Sequence, residues 1–250
     1  MNKYLKNLNR IEFVITYACT GRCKHCSEGE HVAQGEHIDD EKAMELVKNV
    51  AEKYQINSLM TFGGEPLLYP DIVCAIHSMA KEMNIPKRQL ITNGFFSRDI
   101  DKIKSVAQNL IQSGVNDILL SVDAFHQETI PIEPVRVFAD EIHKSGIRIR
   151  VQPAWLVGKE HDNPYNRKTV EILKQFKESG FQEASGNVIF PSGNALKYLG
   201  DYFDSNKEYV SPYEENPRDI HAISIAPNGD ILNDNIYRTD ILEIFEKYEP

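Results

Sequence analysis

The chain has 250 residues, enough to bury a sizeable core in one large α/β domain or two small ones. Hydrophobic residues make up 41% and charged residues 26%, and no apolar run approaches the ~20 residues that span a bilayer. The net charge is −9 without a dense Lys/Arg patch, so neither nucleic acid nor a membrane is expected as a partner. The first residues lack the apolar segment of a signal peptide, and we therefore expect a cytoplasmic protein.

Strand-like and helix-like stretches alternate along most of the chain, which predicts a parallel sheet with right-handed crossover helices. Ser-Gly pairs at 113–114, 145–146 and 179–180 end three of the helical patterns, since glycine accepts the left-handed conformation at a helix end. The predicted strands, in chain order, are Ile11–Thr16, Ser58–Phe62, Gln89–Thr92, Asp117–Val122, Ile147–Gln152 and Asn187–Phe190. Six such units cannot close an eight-stranded barrel, but they can form a curved, partly open (β/α)6 barrel.

The pattern changes after about Pro191. Residues 197–219 are rich in Asp, Asn, Glu, Tyr and Pro and are predicted to form an irregular loop. A strand–turn–strand follows over 222–232, with Asn228-Gly229 as a tight-turn signal, and the tail at 240–248 is a short amphipathic helix. We therefore predict a barrel core over 1–195, capped by a C-terminal loop, hairpin and helix over 196–250.

Three cysteines lie close together directly after the first predicted strand, in the spacing C-x3-C-x2-C: Cys19, Cys23 and Cys26. In a reducing compartment, clustered cysteines indicate metal or redox chemistry rather than disulfides. A zinc ion or an iron–sulfur cluster normally takes four protein ligands, and the remaining cysteine, Cys74, lies within a helical pattern. Three thiolates therefore leave one coordination position open to a small molecule. A zinc site completed by His25 or His31 remains an alternative.

Unusual residues follow the end of every predicted strand. In parallel barrels the loops at the carboxyl ends of the strands build the site, so these segments are expected to share one mouth. Besides the cysteine loop, they are Phe62–Pro66, Thr92–Gly94, Ser121–His126, Gln152–Trp155 and Phe190–Ala195.

Two of these loops resemble the motifs of the radical S-adenosylmethionine (SAM) enzymes. The cysteine loop is similar to the cluster motif of that superfamily, with His25 where an aromatic residue is usual, and 63–66 is its Gly-Gly-Glu-Pro motif. The resemblance covers about residues 11–195. It implies an oxygen-sensitive [4Fe–4S] cluster whose open iron is chelated by the amino and carboxylate groups of SAM. It also implies a 5′-deoxyadenosyl radical that takes a hydrogen atom from substrate, and a low-potential electron donor such as flavodoxin or ferredoxin.

The resemblance also assigns roles to individual residues. The glycines let the backbone approach the methionine amino group, Glu65 accepts a hydrogen bond from it and Pro66 stiffens the turn. Polar side chains at the ends of later strands would bind the ribose or the methionine carboxylate. Metal binding is thus assigned to Cys19, Cys23 and Cys26, and cofactor binding to His25, Gly63, Gly64, Glu65, Pro66, Asn93, Ser121, Asp123, Arg150 and Gln152. The alternatives are that Ser121–Asp123 caps the next helix and that Arg148 and Arg150 form a solvated face.

The substrate is less well defined by the sequence. The tail Ile223–Leu232 resembles the start of the SPASM/twitch extension of peptide-modifying members, although it lacks the cysteines of auxiliary clusters. The first hypothesis is therefore a peptide substrate, as in natural-product maturation. The second is a small molecule or a nucleotide. A non-catalytic metal-binding protein is the hypothesis from another class.

Overall fold

The computed structural model describes residues 2–204, 206–209, 211 and 214–250. Its strands are β1 (Arg10–Val14), β2 (Ser58–Phe62), β3 (Lys87–Thr92), β4 (Asp117–Ser121), β5 (Arg148–Gln152), β6 (Ala154–Trp155), β7 (Gln182–Glu183), β8 (Asn187–Val188), β9 (Ala222–Ile225), β10 (Asp230–Ile231) and β11 (Asp234–Asn235). Its α-helices are α1 (Asp40–Lys53), α2 (Pro70–Glu82), α3 (Ile100–Ser113), α4 (Ala124–Gln127), α5 (Ile132–Lys144), α6 (Pro164–Glu178), α7 (Gly193–Leu199) and α8 (Ile241–Lys247). Short 3-10 turns cover Pro66–Leu68 and Gly200–Tyr202.

Seven of the strands form one parallel sheet in the order β7-β5-β4-β3-β2-β1-β9. Helices α1, α2, α3 and α5 pack side by side along it. Because side chains alternate along a strand, one set of residues is buried under these helices, among them Ile11, Leu59, Leu90 and Ile118. The other set faces the concave side of the sheet. The predicted partial (β/α)6 barrel is confirmed.

Local signals fix the ends of the helices. Asp39 caps α1 by accepting a hydrogen bond from the Lys42 amide, and Asp99 and Asp240 cap α3 and α8 in the same way. The chain leaves α3 through Gly114, whose φ of 90° is in the left-handed region. These caps fix the lengths of the crossover helices and hence the level at which each strand begins.

The sixth strand of the main sheet differs from the prediction. It is β7, at Gln182–Glu183, whereas β8 falls inside the predicted sixth strand and pairs with β6 in a separate two-stranded sheet. Strand β5 ends at Gln152, directly before Pro153, since proline cannot donate a ladder hydrogen bond. The next segment, β6, pairs with β8 instead of continuing the main sheet.

The C-terminal segment adds a strand to the barrel. The predicted turn at 228–229 is present, with the Gly229 amide donating to the Ala226 carbonyl (2.9 Å). However, β9 before this turn pairs in parallel with β1 and buries Ile223 and Ile225. The hairpin is formed by β10 and β11, and α8 packs near α1. The predicted boundary at 195 falls within α7.

A buried histidine links α2 to the sheet. The His77 ring is fully buried, and its Nε2 lies 2.9 Å from Thr61 Oγ1 of β2. Its Nδ1 has no hydrogen-bond partner among the described residues. Burial, with a smaller contribution from the charge of Arg88, lowers the pKa of His77 from 6.5 to about 3. The ring is therefore neutral in the folded protein near pH 7.

This histidine makes the protein less stable in acid. Between pH 6.5 and 3 the unfolded chain binds the proton that folded His77 does not, so stability falls as the pH falls. At pH 5 the loss from this residue is about 2 kcal/mol. Glutamine cannot titrate. Between pH 8 and pH 5 we therefore expect the free energy of unfolding of His77→Gln to fall by about 2 kcal/mol less than that of the wild type. Urea unfolding of both proteins in the same metal-loading state measures this, and an identical pH dependence would contradict it.

Candidate cluster and cofactor site

The three cysteines meet at the carboxyl ends of the strands. Their loop leaves β1 and is held in place by backbone hydrogen bonds, including one from the Cys19 amide to the Val32 carbonyl (3.0 Å). All three are free thiols; Cys19 and Cys23 are buried and Cys26 is partly exposed. They line one cavity of about 240 Å³. Cys74 lies on α2 and does not line it.

The same cavity gathers most of the predicted cofactor residues. Those that line it are His25, Gly63, Gly64, Asn93, Ser121, Asp123 and Gln152. Glu65, Pro66 and Arg150 do not. Other lining residues, to which no cofactor role was assigned, include Thr92, His126, Pro153 and Asn187. This arrangement agrees with the expectation that the loops after the strands share one mouth.

The Gly-Gly loop lies directly against the cysteine loop. The Gly64 amide donates to the Thr16 carbonyl and the Glu65 amide to the Ala18 carbonyl, both at 2.8 Å. A Cβ on Gly64 would lie 2.1 Å from the Ala18 oxygen, and Gly63 has a φ of 140°. Both positions therefore need glycine because the two loops touch through their backbones.

Glu65 is turned away from the cavity. Its carboxylate is fully buried and accepts hydrogen bonds from the Leu67 amide (2.9 Å), the Thr92 hydroxyl (2.7 Å) and the Asn93 amide (2.8 Å). Burial raises the pKa of this carboxyl to about 7, and the three hydrogen bonds act in the opposite direction. Glu65 thus ties the loop after β2 to the end of β3 and orients Asn93, whose side chain does line the cavity.

The Asp123 carboxylate likewise accepts its hydrogen bonds from protein groups, although the residue lines the cavity. It caps α4, with Oδ1 accepting from the Phe125 and His126 amides (2.9 Å each). Oδ2 accepts from the Ala154 amide (2.9 Å) and from His126 Nδ1 (2.8 Å). Burial alone would raise the pKa of Asp123, but the charge and hydrogen bond of His126 hold it well below its usual range. This geometry agrees with the alternative that Ser121–Asp123 caps the next helix.

Arg150 and Gln152 are the two candidates on β5 for binding the ribose or the methionine carboxylate, and they lie at different heights along the strand. Arg150 points down the sheet, and its terminal nitrogen is 2.8 Å from both oxygens of Asp117. Gln152, two residues further along β5, lines the cavity and donates to Asn187 Oδ1 (3.1 Å). Of the two, Gln152 is the residue that can reach a bound cofactor.

Histidines surround the thiols. His25 packs against the rings of Phe125 and His126, at centroid distances of 5.0 and 4.8 Å, and burial with the nearby His126 charge lowers its pKa to about 4. Its Nδ1 is buried without a partner among the described residues. His31 donates from Nδ1 to the Tyr17 carbonyl (2.7 Å) and places Nε2 3.0 Å from Cys26 Sγ.

The sequence places His126 in a loop of the mouth without a cofactor or metal role, yet it combines several features of a functional residue. Its ligand atom lies within 4.8 Å of those of Cys23 and His25. The Asp123 carboxylate fixes its Nδ1–H, which leaves Nε2 unprotonated in the neutral ring. The sequence feature that could have pointed to this role is a histidine three residues after a helix-capping aspartate.

The thiols fit an iron–sulfur group. Burial, followed by the charge of Glu65, raises the pKa of Cys19 to about 12, and burial also raises the pKa of Cys23 and Cys26. Thiolates at these positions therefore need a bound cation. Cys19 Sγ already accepts N–H groups from Gly21 (3.3 Å) and Asn93 (3.6 Å), the kind of hydrogen bond that cluster thiolates accept.

A parallel partial barrel with three free thiols at the carboxyl ends of its strands is typical of barrel proteins that hold an iron–sulfur cluster. The radical SAM superfamily profile matches residues 13–193, and the chain belongs to this superfamily. Its cofactors are accordingly a [4Fe–4S] cluster and SAM, and it is an enzyme that uses radical chemistry.

Among curated proteins, the chain is similar to GTP 3′,8-cyclases. It is 30% identical to that of Rippkaea orientalis over 115 residues, which is 44% of this chain and 33% of the relative. It is 27% identical to the GTP 3′,8-cyclase of Trichormus variabilis over 155 residues, which is 59% of this chain and 43% of the relative. The matches thus span less than half the length of these relatives.

Solved structures support the fold. Streptococcus suis SuiB bound to S-adenosylmethionine superposes with a TM-score of 0.64 at 16% identity, over 98% of this chain and 66% of that one. Native anSMEcpe with bound AdoMet gives 0.60 at 15% identity, over 96% and 80%. Within the described residues, no helix is both long enough and apolar enough to cross a membrane.

The contact between the two loops can be tested at Gly64. We expect Gly64→Ala to displace the cysteine loop, because its methyl group meets the Ala18 backbone. The variant should lose most of its iron after reconstitution and about 1–3 kcal/mol of stability, as overpacked sites do. Gly158→Ala is the matched control, since a Cβ there meets nothing within 4 Å. Iron assay and visible absorbance give the readout, and full iron content in Gly64→Ala would contradict the expected role of the contact.

Proposed function

We propose that Cys19, Cys23 and Cys26 hold the [4Fe–4S] cluster and that the neighbouring mouth binds SAM. The observation that carries the proposal is the convergence of these thiols with the Gly-Gly loop on one cavity. The chemistry that the bound cofactors supply is abstraction of a hydrogen atom from substrate by a 5′-deoxyadenosyl radical. A flavodoxin or ferredoxin is the expected source of the electron.

The residues of the mouth would have distinct tasks. Asn93, Ser121 and Gln152 present amide and hydroxyl groups to the cavity and are suited to the ribose and the methionine carboxylate. Glu65 positions Asn93 through the backbone. His25, whose ring packs against Phe125 and His126, lies beside Cys23 in the wall of the cavity. A packed wall of this kind would help to exclude water, which protects a reactive radical from side reactions.

For the substrate we favour a small molecule over a peptide. The tail that suggests a peptide-modifying enzyme supplies β9 to the sheet edge, and it carries no cysteine. The relatives at 27–30% identity are GTP 3′,8-cyclases, a small-molecule activity by name. SuiB with its precursor peptide SuiA shares 13% identity and supports only the fold. A peptide is the second candidate, on the strength of the tail resemblance.

The proposed function is tested by anaerobic reconstitution. We expect a brown protein with about four irons per chain. With reductant and SAM it should form 5′-deoxyadenosine, measured by liquid chromatography. A colourless zinc protein, bound through His25 or His31 with the cysteines, would contradict the proposal. So would a fully reconstituted sample that does not cleave SAM.

The ligand assignment is tested by paired cysteine variants. Cys23→Ala should abolish the cluster absorbance and the formation of 5′-deoxyadenosine, because a buried thiolate ligand is lost. Cys74→Ala, on α2 outside the cavity, should retain both. The opposite pattern would overturn the assignment.

The substrate class is tested by treating a low-molecular-weight cell extract with peptidases. If the substrate is a small molecule, the treated extract should still raise 5′-deoxyadenosine formation above the substrate-free rate. Stimulation that disappears after peptidase treatment would favour the peptide candidate.

A further inference from the structure

Two successive turns of the cysteine loop carry Cys23 and Cys26. The Cys26 amide donates to the Cys23 carbonyl (3.2 Å), and the Gly29 amide donates to the Cys26 carbonyl (3.4 Å). These distances lie at or beyond the long end of the usual range, so neither turn is firmly closed by its own hydrogen bond. The direction of the two thiols therefore depends on what holds the turns from outside.

Asn194, near the start of α7, holds both turns at once. Its backbone amide donates to the Cys26 carbonyl (2.9 Å). Its side-chain amide donates to the Cys23 carbonyl (3.3 Å) and to the Gly29 carbonyl (3.1 Å). The residue is 4% exposed, so little water competes for these carbonyls. One asparagine thus holds the carbonyls that close the two turns and the residue that ends the second.

The backbone just before Asn194 allows this close contact. Gly193 has a φ of 49°, in the left-handed region. A Cβ at this position would lie 2.4 Å from the Ser27 carbonyl oxygen and 2.8 Å from that of Cys26. Glycine therefore lets the start of α7 touch the cysteine loop through its backbone.

Apolar packing holds α7 against the thiols. Ala195 and Leu199 are buried in one apolar cluster that includes Cys23 itself. On the outer side of α7, Lys197 Nζ lies 2.9 Å from Glu30 Oε1, but both side chains are largely exposed and such a pair contributes little. The attachment of α7 to the loop therefore depends on this packing and on the buried asparagine.

The segment that leads into α7 also lines the cofactor cavity. Its members in the cavity wall are Asn187, Val188, Ile189 and Phe190. Phe190 precedes Asn194 by four residues, so the wall and the contact with the cysteine loop belong to one short stretch of chain. Through Asn194, the thiols are thus tied to the wall of the cavity that they share.

We propose that Asn194 is a positioning residue for the cluster, which holds the turns of Cys23 and Cys26 so that both thiols face the cavity before iron binds. The inference rests on the proposed function, because it takes these thiols to be cluster ligands. A loop that is already in place loses less conformational entropy when it takes up the metal. Groups that orient metal ligands typically contribute about 10- to 100-fold to metal affinity.

The test uses Asn194→Asp, which keeps the shape of the side chain but replaces its N–H donors by an oxygen. In the reconstituted full-length protein, we expect iron to pass to a chelator about tenfold faster than from the wild type. The electron paramagnetic resonance spectrum of the reduced cluster should also change in line shape, because the positions of Cys23 and Cys26 change. Partial unfolding would lower only the intensity of that spectrum.

Asn116→Asp is the matched control. Asn116 also connects two backbone segments, since it accepts from the Arg88 amide and donates to the Pro86 carbonyl, both at 2.8 Å. It lies at the amino ends of β3 and β4, away from the thiols, and its variant should release iron at the rate of the wild type.

Thiol reactivity in the cluster-free, full-length chain gives a second measurement. Alkylation of the buried Cys23 should be about tenfold faster in Asn194→Asp, since the hydrogen bonds that hold its turn are lost. Cys74 on α2 should react as in the wild type, whereas misfolding would expose it too. Asn194→Ala, which removes the side-chain donors without adding a carboxylate, should show the same increase at Cys23.

Wild-type rates of iron loss and of Cys23 alkylation in both Asn194 variants would overturn the inference, as would an equal increase in Asn116→Asp. Cleavage of SAM by the wild type reports separately on the proposed function. If the wild type cleaves SAM and the Asn194 variants behave like it, only the inference is refuted. If Cys23 is alkylated faster in the variants but the reconstituted wild type does not cleave SAM, only the proposed function is refuted.

Discussion

The backbone contact between the cysteine loop and the Gly-Gly loop determines the geometry of the whole mouth. Two hydrogen bonds of 2.8 Å, from Gly64 to Thr16 and from Glu65 to Ala18, join them without an intervening side chain. A side chain at Gly64 cannot fit, since its Cβ would lie 2.1 Å from the Ala18 oxygen. The loop after β2 is thereby locked to the loop after β1, and the thiols take their positions relative to both strands.

Two buried carboxylates extend this framework to the next strands. Burying a carboxylate is costly unless hydrogen bonds compensate it, and both Glu65 and Asp123 are compensated by backbone amides. Glu65 connects the Gly-Gly loop to β3, and Asp123 connects the end of β4 to the segment after β5 through the Ala154 amide. Glu65 and Asp123, which the resemblance assigns to cofactor binding, thus shape the cavity in this structure by holding its loops together.

The sequence predicted what local patterns determine and missed what distant pairing determines. Alternating strands and helices, helix-ending glycines and the cysteine spacing are short-range signals, and they placed β1 to β5 to within two residues. The loops that follow these strands contribute to one cavity. β7 spans two residues, too few to show a period, and the pairing of β9 with β1 joins opposite ends of the chain. Arg150 could not be assigned from its strand alone, because its partner Asp117 lies on a different strand.

One face of the sheet is layered along its strands, and this layering keeps charged groups away from the cavity. The buried carboxylate of Asp117 lies near the amino end of β4 and is paired with Arg150. Leu119 follows two residues higher, and Ser121 lies above it, where it lines the cavity beside Gln152. The rise of a parallel strand separates Asp117 from Ser121 by about 13 Å. Because the charge of Asp117 is neutralised at that depth, the polar groups that face the thiols are those at the carboxyl ends of the strands.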